Sequence, residues 1–254
     1  MTKRLIRLLP DGPPTSGLEP MALDPADFYS ALPRQHIHRA FTDPELGVSV
    51  GTWDTTSMQE AFGPYPGDEF IFVLEGNFAM IDGQGRGTPV EAGQAVILRD
   101  GAPLSWMQAG YLKKFFMIVD DPNTPTPQDD SAEGGVIVLP PDMRPDDSDE
   151  VSYSDSGAKQ RERVLFTNAA GTMEVGLWDS EAMTTDLYPF PFHEFAVILE
   201  GEAVIEGEDG TRERFVPGDC FFIPAGTMTR WHVPDRVCKY YAAVAPRDAA
   251  QTTR

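Results

Sequence analysis

Glu69-Phe70-Ile71-Phe72-Val73-Leu74-Glu75-Gly76 returns 125 positions later as Glu194-Phe195-Ala196-Val197-Ile198-Leu199-Glu200-Gly201. Each stretch is a short run of aromatic and branched residues that favours a strand, closed by Glu-Gly. The same interval carries Trp53-Asp54 onto Trp178-Asp179, Gly93 onto Gly218, Gly101 onto Gly226, Trp106 onto Trp231 and Lys114 onto Lys239. One register runs without a gap from Phe41-Thr42 (Phe166-Thr167) to Val119 (Val244). Chance does not hold a register that long, so the chain is a tandem duplication.

A fainter echo links Ile6-Arg7-Leu8-Leu9-Pro10 to Val136-Ile137-Val138-Leu139-Pro140, read here as the opening strand of each repeat. That places an N-terminal unit at residues 1–120, a Pro-rich acidic linker at 121–134 and a C-terminal unit at 135–254. Within each unit the signals are strand signals broken by Gly-containing turns. Helical patterning is confined to Pro25–Leu32, where Asp24 is placed to cap a short helix. Short strands at such spacing predict an all-β architecture, a sandwich or barrel per repeat.

The 254 residues include 40 acidic and 20 basic side chains, a net charge of −20. That sign excludes binding to nucleic-acid backbone or to an anionic membrane surface. No apolar run approaches the roughly 18 residues that span a bilayer. The basic and apolar start is interrupted at Pro10, too early for a secretory signal core. Two cysteines, Cys220 and Cys238, make no disulfide framework and suit a cytoplasmic protein.

Three spacings resemble a known superfamily. Glu69-x6-Gly76 and Glu194-x6-Gly201 match the end of the first cupin motif, and Gly218-x5-Pro224-x-Gly226 the start of the second. Tyr65-Pro66-Gly67-Asp68-Glu69-Phe70 and Trp231-His232-Val233-Pro234 resemble the subgroup that includes the ethanolamine-utilisation cupin and ureidoglycine aminohydrolase. The resemblance implies a bicupin: two jelly-roll barrels, each with an internal ligand pocket. Phe70, Phe72, Phe195 and Val197 alternate away from the Glu face, so the sister barrel or a second copy in a homodimer is expected to cover them.

The departures from that pattern bear on chemistry. Metal-binding cupins carry His-x-His before the Glu and another His in the second motif. Here the early positions fall on Tyr188 and Phe190 (or Leu187 and Pro189) and on Gly63 and Tyr65 (or Phe62 and Pro64). The later one is Thr229 in the second repeat and Leu104 in the first. One carboxylate among such neighbours does not satisfy a divalent cation, so no cofactor is expected. A lesser alternative is an atypical metal site of His193, Glu194 and His232. Alternation along a strand argues against it, because His193 and Glu194 are adjacent and face opposite ways. His36-x-His38 lacks a following Glu and reads as hydrogen-bonding histidines.

Period-two alternation puts Glu194, Ala196 and Ile198 on one face, and Glu69, Ile71 and Val73 on the equivalent one. A carboxylate among apolar residues requires a cation, and Lys239 and Lys114 are the expected partners. Glu194 and Lys239 are therefore the candidate catalytic pair. Tyr188, Phe190, Trp231 and Thr229, with Glu69, Trp106 and Lys114 in the first repeat, are the candidate ligand contacts. A buried structural ion pair with tryptophans as core packing explains the same residues. Three functions stay open: a metal-independent isomerase, hydrolase or lyase acting on a small polar metabolite, a non-catalytic binding or assembly protein, and a metal-dependent aminohydrolase-like enzyme. The second repeat is the expected pocket, since it alone keeps Pro224-x-Gly226 where the first has Arg99-Asp100-Gly101.

Overall fold

Branched and aromatic runs punctuated by glycine turns do become strands throughout the computed structural model, which describes residues 3–124, 134–153 and 157–245. Among these residues helical backbone is limited to two single 3-10 turns, Pro25–Asp27 and Asp147–Asp149. Asp24 caps the first, accepting from Ala26 N at 2.9 Å, but Phe28 is already extended and the helix expected to Leu32 does not form. Asp146 and Asp149 form a reciprocal capping box on the second, inside the acidic stretch that follows Pro140.

The first unit, Leu8–Asp142, is a sandwich of two antiparallel sheets. Its seven-stranded sheet runs Val136–Leu139, Ala95–Leu98, Asp68–Glu75, Leu112–Val119, Val48–Thr55, Gln35–Asp43 and Glu19–Pro20. The facing sheet is built on Pro103–Gln108, Asn77–Asp82 and Gly87–Glu91, with two short strands added to Pro103–Gln108. Ile71, Val73, Met80, Val90, Trp53 and Trp106 fill the space between the two sheets. The face assigned from alternation is therefore the inward one.

The second unit repeats the arrangement with longer strands. Met228–Val244 runs unbroken for 17 residues, its C-terminal part pairing with His193–Gly201 and Met173–Thr184 and its N-terminal part with Ala203–Gly207. One strand thus serves both faces of the barrel, bending at the register shift between Glu181 and Met183. Trp178, Ala196, Ile198, Ile205, Phe221 and Trp231 form its interior. Both units are thus jelly-roll β-barrels, as the repeat predicts.

The boundaries differ from those read off the repeat. Val136–Leu139 pairs with Ala95–Leu98 and belongs to the first unit, whereas Ile6–Arg7 pairs with Phe221 and Phe222 of the second. The second unit is therefore Met1–Arg7 together with Met143–Arg254. Each opening strand completes the barrel of the other repeat. A free strand edge accepts any extended segment that reaches it, so chain order does not decide which barrel an opening strand joins. Of the expected linker, residues 125–133 lie outside the described residues.

Candidate functional site

In the second barrel Glu194 is on His193–Gly201, and Lys239 stands opposite Ile198 on the neighbouring strand. Glu194 and Ile198 share the inward face, so the lysine side chain lies along that face and meets the carboxylate. Lys239 Nζ pairs with Glu194 Oε1, and each side chain is only 5% exposed. The first barrel repeats the geometry: Lys114 stands opposite Val73 and its Nζ lies 2.7 Å from Glu69 Oε1. The expected acid–lysine pair thus forms in both repeats.

Each ammonium is also boxed by aromatic faces. Lys239 Nζ lies 5.1 Å from the Trp178 ring centroid and 4.9 Å from that of Trp231. Lys114 Nζ lies 5.0 Å from Trp53 and 4.8 Å from Trp106. The ring quadrupole attracts the cation, which explains why both Trp recur with the Lys. Phe190 stacks over Trp231 at 6.4 Å, and Tyr188 packs beside Phe190 while pairing in register with Thr229. The ligand contacts expected in the second repeat are therefore brought together around one ion pair.

The two barrels differ in how their polar atoms are satisfied. Trp106 Nε1 donates to Gln108 Oε1 at 2.8 Å, but Val233 occupies the position equivalent to Gln108, and the buried Trp231 Nε1 has no acceptor among the described residues. Thr229 Oγ1, beside Tyr188, and Tyr241 OH, beside Glu162, are also buried and make no well-aligned hydrogen bond. The first barrel has Leu104 and Phe116 at those two positions. Its own interior is closed differently, with Tyr65 OH donating to Glu69 Oε2 while Lys114 holds Oε1.

Two carboxylates escape a comparison of the repeats. Glu60 sits near Lys114 and Glu69, and burial raises its pKa to about 7 despite the opposing pull of Lys114. Its equivalent is Thr185. Glu162 pairs in register with Trp178 on the inward side of the second barrel and couples to Glu194, where the first barrel has Ile37 packed on its core. Burial is also the larger effect on Glu194, raising its pKa while Lys239 lowers it. Tyr188 is pushed up to about 12 by burial and the Glu194 charge. A pairwise charge pattern between strands is a signal for such acids only once the strand register is known.

The residues of the alternative metal site are not brought together. His193 accepts from Ala225 N at 3.1 Å and stacks on Phe222, on the face opposite Glu194. His232 is exposed and bonded to Thr184 Oγ1 at 2.9 Å. At the positions where cupins hold a metal, the second barrel offers Tyr188, Phe190, Glu194 and Thr229, with the carboxylate already paired. This donor set does not fit a divalent ion. Burial pushes the Cys238 thiol up to about 12 and that of Cys220 well above its usual range, so neither is a ready nucleophile.

Residues 167–241 match the EutQ-like cupin domain. No curated protein matches the chain. Among solved structures, a DUF861 protein from Pseudomonas syringae pv. tomato str. DC3000 shares 21% identity and a TM-score of 0.76, over 96% of this chain and 100% of that one. The cupin 2 conserved barrel protein from Leptotrichia buccalis is 13% identical with a TM-score of 0.56, over 83% and 88%. Protein Ylba from E. coli, also DUF861, is 14% identical with a TM-score of 0.53, over 98% and 93%. The EutQ-like cupin match thus falls within the second of two duplicated jelly-roll barrels, and the chain as a whole shares the fold of these structures.

Proposed function

We propose that the second barrel binds a small polar metabolite against the Glu194–Lys239 pair, with Trp231 donating a hydrogen bond and Tyr188, Phe190 and Thr229 supplying the remaining contacts. The observation that supports it is the indole N–H of Trp231, 3% exposed and without an acceptor beside a buried ion pair. A buried donor left unpaired costs about 1–3 kcal/mol, and a ligand oxygen placed there recovers it. The first barrel has filled the same need internally with Gln108. The protein acts in the cytoplasm, where Cys220 and Cys238 remain thiols.

Glu60 favours a second reading, in which the first barrel is catalytic. A carboxyl with a pKa of about 7 near Lys114 exchanges protons at neutral pH, as a metal-independent isomerase, hydrolase or lyase requires.

A thermal-shift screen against small amines, acids and sugars, followed by calorimetry on each hit, tests the two together. Glu194→Gln is expected to weaken a second-barrel ligand about tenfold or more, the worth of a charged hydrogen bond, while Glu69→Gln leaves it nearly unchanged. Loss of affinity in Glu69→Gln alone places the ligand in the first barrel. Turnover of a hit that depends on Glu60 makes the protein an enzyme.

A further inference from the structure

In the first barrel Met80 stands opposite both Thr88 and Trp106, and Asp82 stands opposite Leu104. Residues directly opposite on antiparallel strands share a face, and Trp106 faces inward, so all of these do. Arg86 joins them across the hairpin turn, its backbone N–H and Nε both bonded to Asp82. With Gly134 and Val136 these side chains surround a cavity of about 320 Å³. That is the lower end of the range for small-molecule pockets, about 300–1,000 Å³. Met80 and Leu104 are buried and give it an apolar floor, while Arg86 and Thr88 give it a polar wall.

The donors on that wall are positioned but unused. Arg86 Nε is held at 2.7 Å by Asp82 Oδ2, and Asp82 Oδ1 accepts from the backbone of Gln84 and Arg86. The two terminal nitrogens of Arg86 and the Thr88 hydroxyl have no partner among the described residues. A second guanidinium reaches the same rim. Leu98 pairs with Val136, so Arg99 leaves its strand beside Gly134, with Nη1 3.5 Å from the point where a Cβ on Gly134 would stand. The Arg99 side chain also has no partner among the described residues. Two arginines and one aspartate leave a local excess of one positive charge in a chain of net charge −20. Distant surface charges are screened beyond about 8 Å at physiological salt, so the local sign governs what the cavity attracts.

We infer that this cavity binds a small monocarboxylic acid, its carboxylate held by Arg86, Arg99 and Thr88 and its compact apolar body resting on Met80 and Leu104. Guanidinium groups match the geometry of a carboxylate, and a single negative charge balances the single positive excess. A phosphate monoester brings one charge too many. The second barrel is the internal control, since Thr211, Glu213 and Pro224 stand where the first has Arg86, Thr88 and Arg99. Glu213 is itself paired with Arg7 at 3.2 Å. The Arg99-Asp100-Gly101 turn, which departs from the proline the other repeat keeps, thus supplies a cation at the rim. The site is separate from the Glu194–Lys239 pair and does not depend on a ligand there.

Benzoate, benzamide, benzylamine and phenyl phosphate share a ring and differ in charge, and hexanoate and acetate vary the body behind one carboxylate. Binding is measured by calorimetry on the full chain and by the Met80 methyl signal in protein carrying carbon-13 methyl methionine, assigned with Met80→Leu. Benzoate and hexanoate are expected to bind more tightly than the other four probes and to shift that signal. Arg99→Gln is expected to weaken them about tenfold, the worth of a charged hydrogen bond. Arg86→Gln acts on a more exposed contact and is expected to weaken them about 2- to 5-fold. Both changes lie at the rim, and circular dichroism checks that the fold survives. Glu194→Gln is expected to leave both acids unaffected. Benzamide, benzylamine or phenyl phosphate binding as tightly as benzoate, with the Met80 signal moving, overturns the carboxylate class. Acid binding that is lost in Glu194→Gln but kept in both arginine variants overturns this site and supports the second-barrel reading. Binding of neither acid, with the Met80 signal fixed, overturns this site and leaves that reading standing.

Discussion

The two acid–lysine pairs share a geometry but not a surrounding, and that difference sets a measurable asymmetry. Replacing Lys239 with Met removes the partner of a carboxylate that is 5% exposed. Removing one member of a buried pair costs about 3–5 kcal/mol, because the remaining charge is left without compensation. Lys114→Met does the same to Glu69, but Tyr65 OH still donates to the other carboxylate oxygen. Among the described residues Glu194 has no hydrogen bond of that kind in reserve. The retained bond to a charged acceptor is worth about 1.5–3 kcal/mol, so Lys239→Met is expected to be the more damaging by about that amount.

The sign with pH follows from burial. Without Lys239 the folded-state pKa of Glu194 rises further above its unfolded value. A group raised in the folded state contributes most below its unfolded pKa, and the contribution is lost as pH climbs through the folded pKa. Lys239→Met should therefore come closer to wild type at pH 5 than at pH 8. Urea titrations at both pH values, with tryptophan fluorescence as the signal, measure it. Equal costs for Lys114→Met and Lys239→Met, or a Lys239→Met deficit that grows toward pH 5, would refute the reasoning.

Two further outcomes are expected. Glu60, raised to about 7 by burial, makes folding less favourable as pH rises from 5 to 8, by about 2 kcal/mol from the linkage of that shift; Glu60→Gln should flatten this slope, and an unchanged slope removes Glu60 as its source. Asp179 is fully buried beside Arg161 and Arg236, at 3.1 and 2.8 Å, so Asp179→Asn should cost about 1.5–3 kcal/mol, the worth of a charged hydrogen bond, since Arg161 keeps Asp147 and Arg236 is partly exposed. The equivalent Asp54, held by His36 and Tyr111 and partly exposed, should lose much less on conversion to Asn, and calorimetric unfolding of the two variants compares them.

The repeat made the fold legible because it preserved what a barrel needs. The Glu-Gly that closes each central strand is an example: Gly76 and Gly201 have φ of 80° and 69°, and a Cβ there would run into the carbonyls of Tyr111 and Arg236. Only glycine turns the chain at that point, so the motif survives in both copies. The inward Glu, Trp and Lys were legible by the same logic, since alternation assigns faces and a buried carboxylate demands a cation. The exchange of opening strands was not. Ile6–Arg7 makes just two register pairs, and nothing in so short a segment distinguishes the Cys220–Ile223 edge from the Ala95–Leu98 edge.

The same filter hid half of the site. Matching the two repeats keeps residues that agree and discards those that differ, yet Glu60 faces Thr185 in the match, Glu162 faces Ile37, and Gln108 faces Val233. These are the positions at which the interiors take on separate chemistry. In the first barrel, Tyr65, Gln108 and Leu104 leave the ion pair and its tryptophans with their needs met inside the fold, and Glu60 adds a carboxyl that titrates near neutrality. In the second, Phe190 and Val233 stand where Tyr65 and Gln108 do, Thr229 adds a hydroxyl in place of Leu104, and Trp231 Nε1 has no acceptor among the described residues. Agreement between the copies marks the scaffold common to both. Disagreement around that scaffold marks where the two interiors differ in how their buried polar atoms are satisfied.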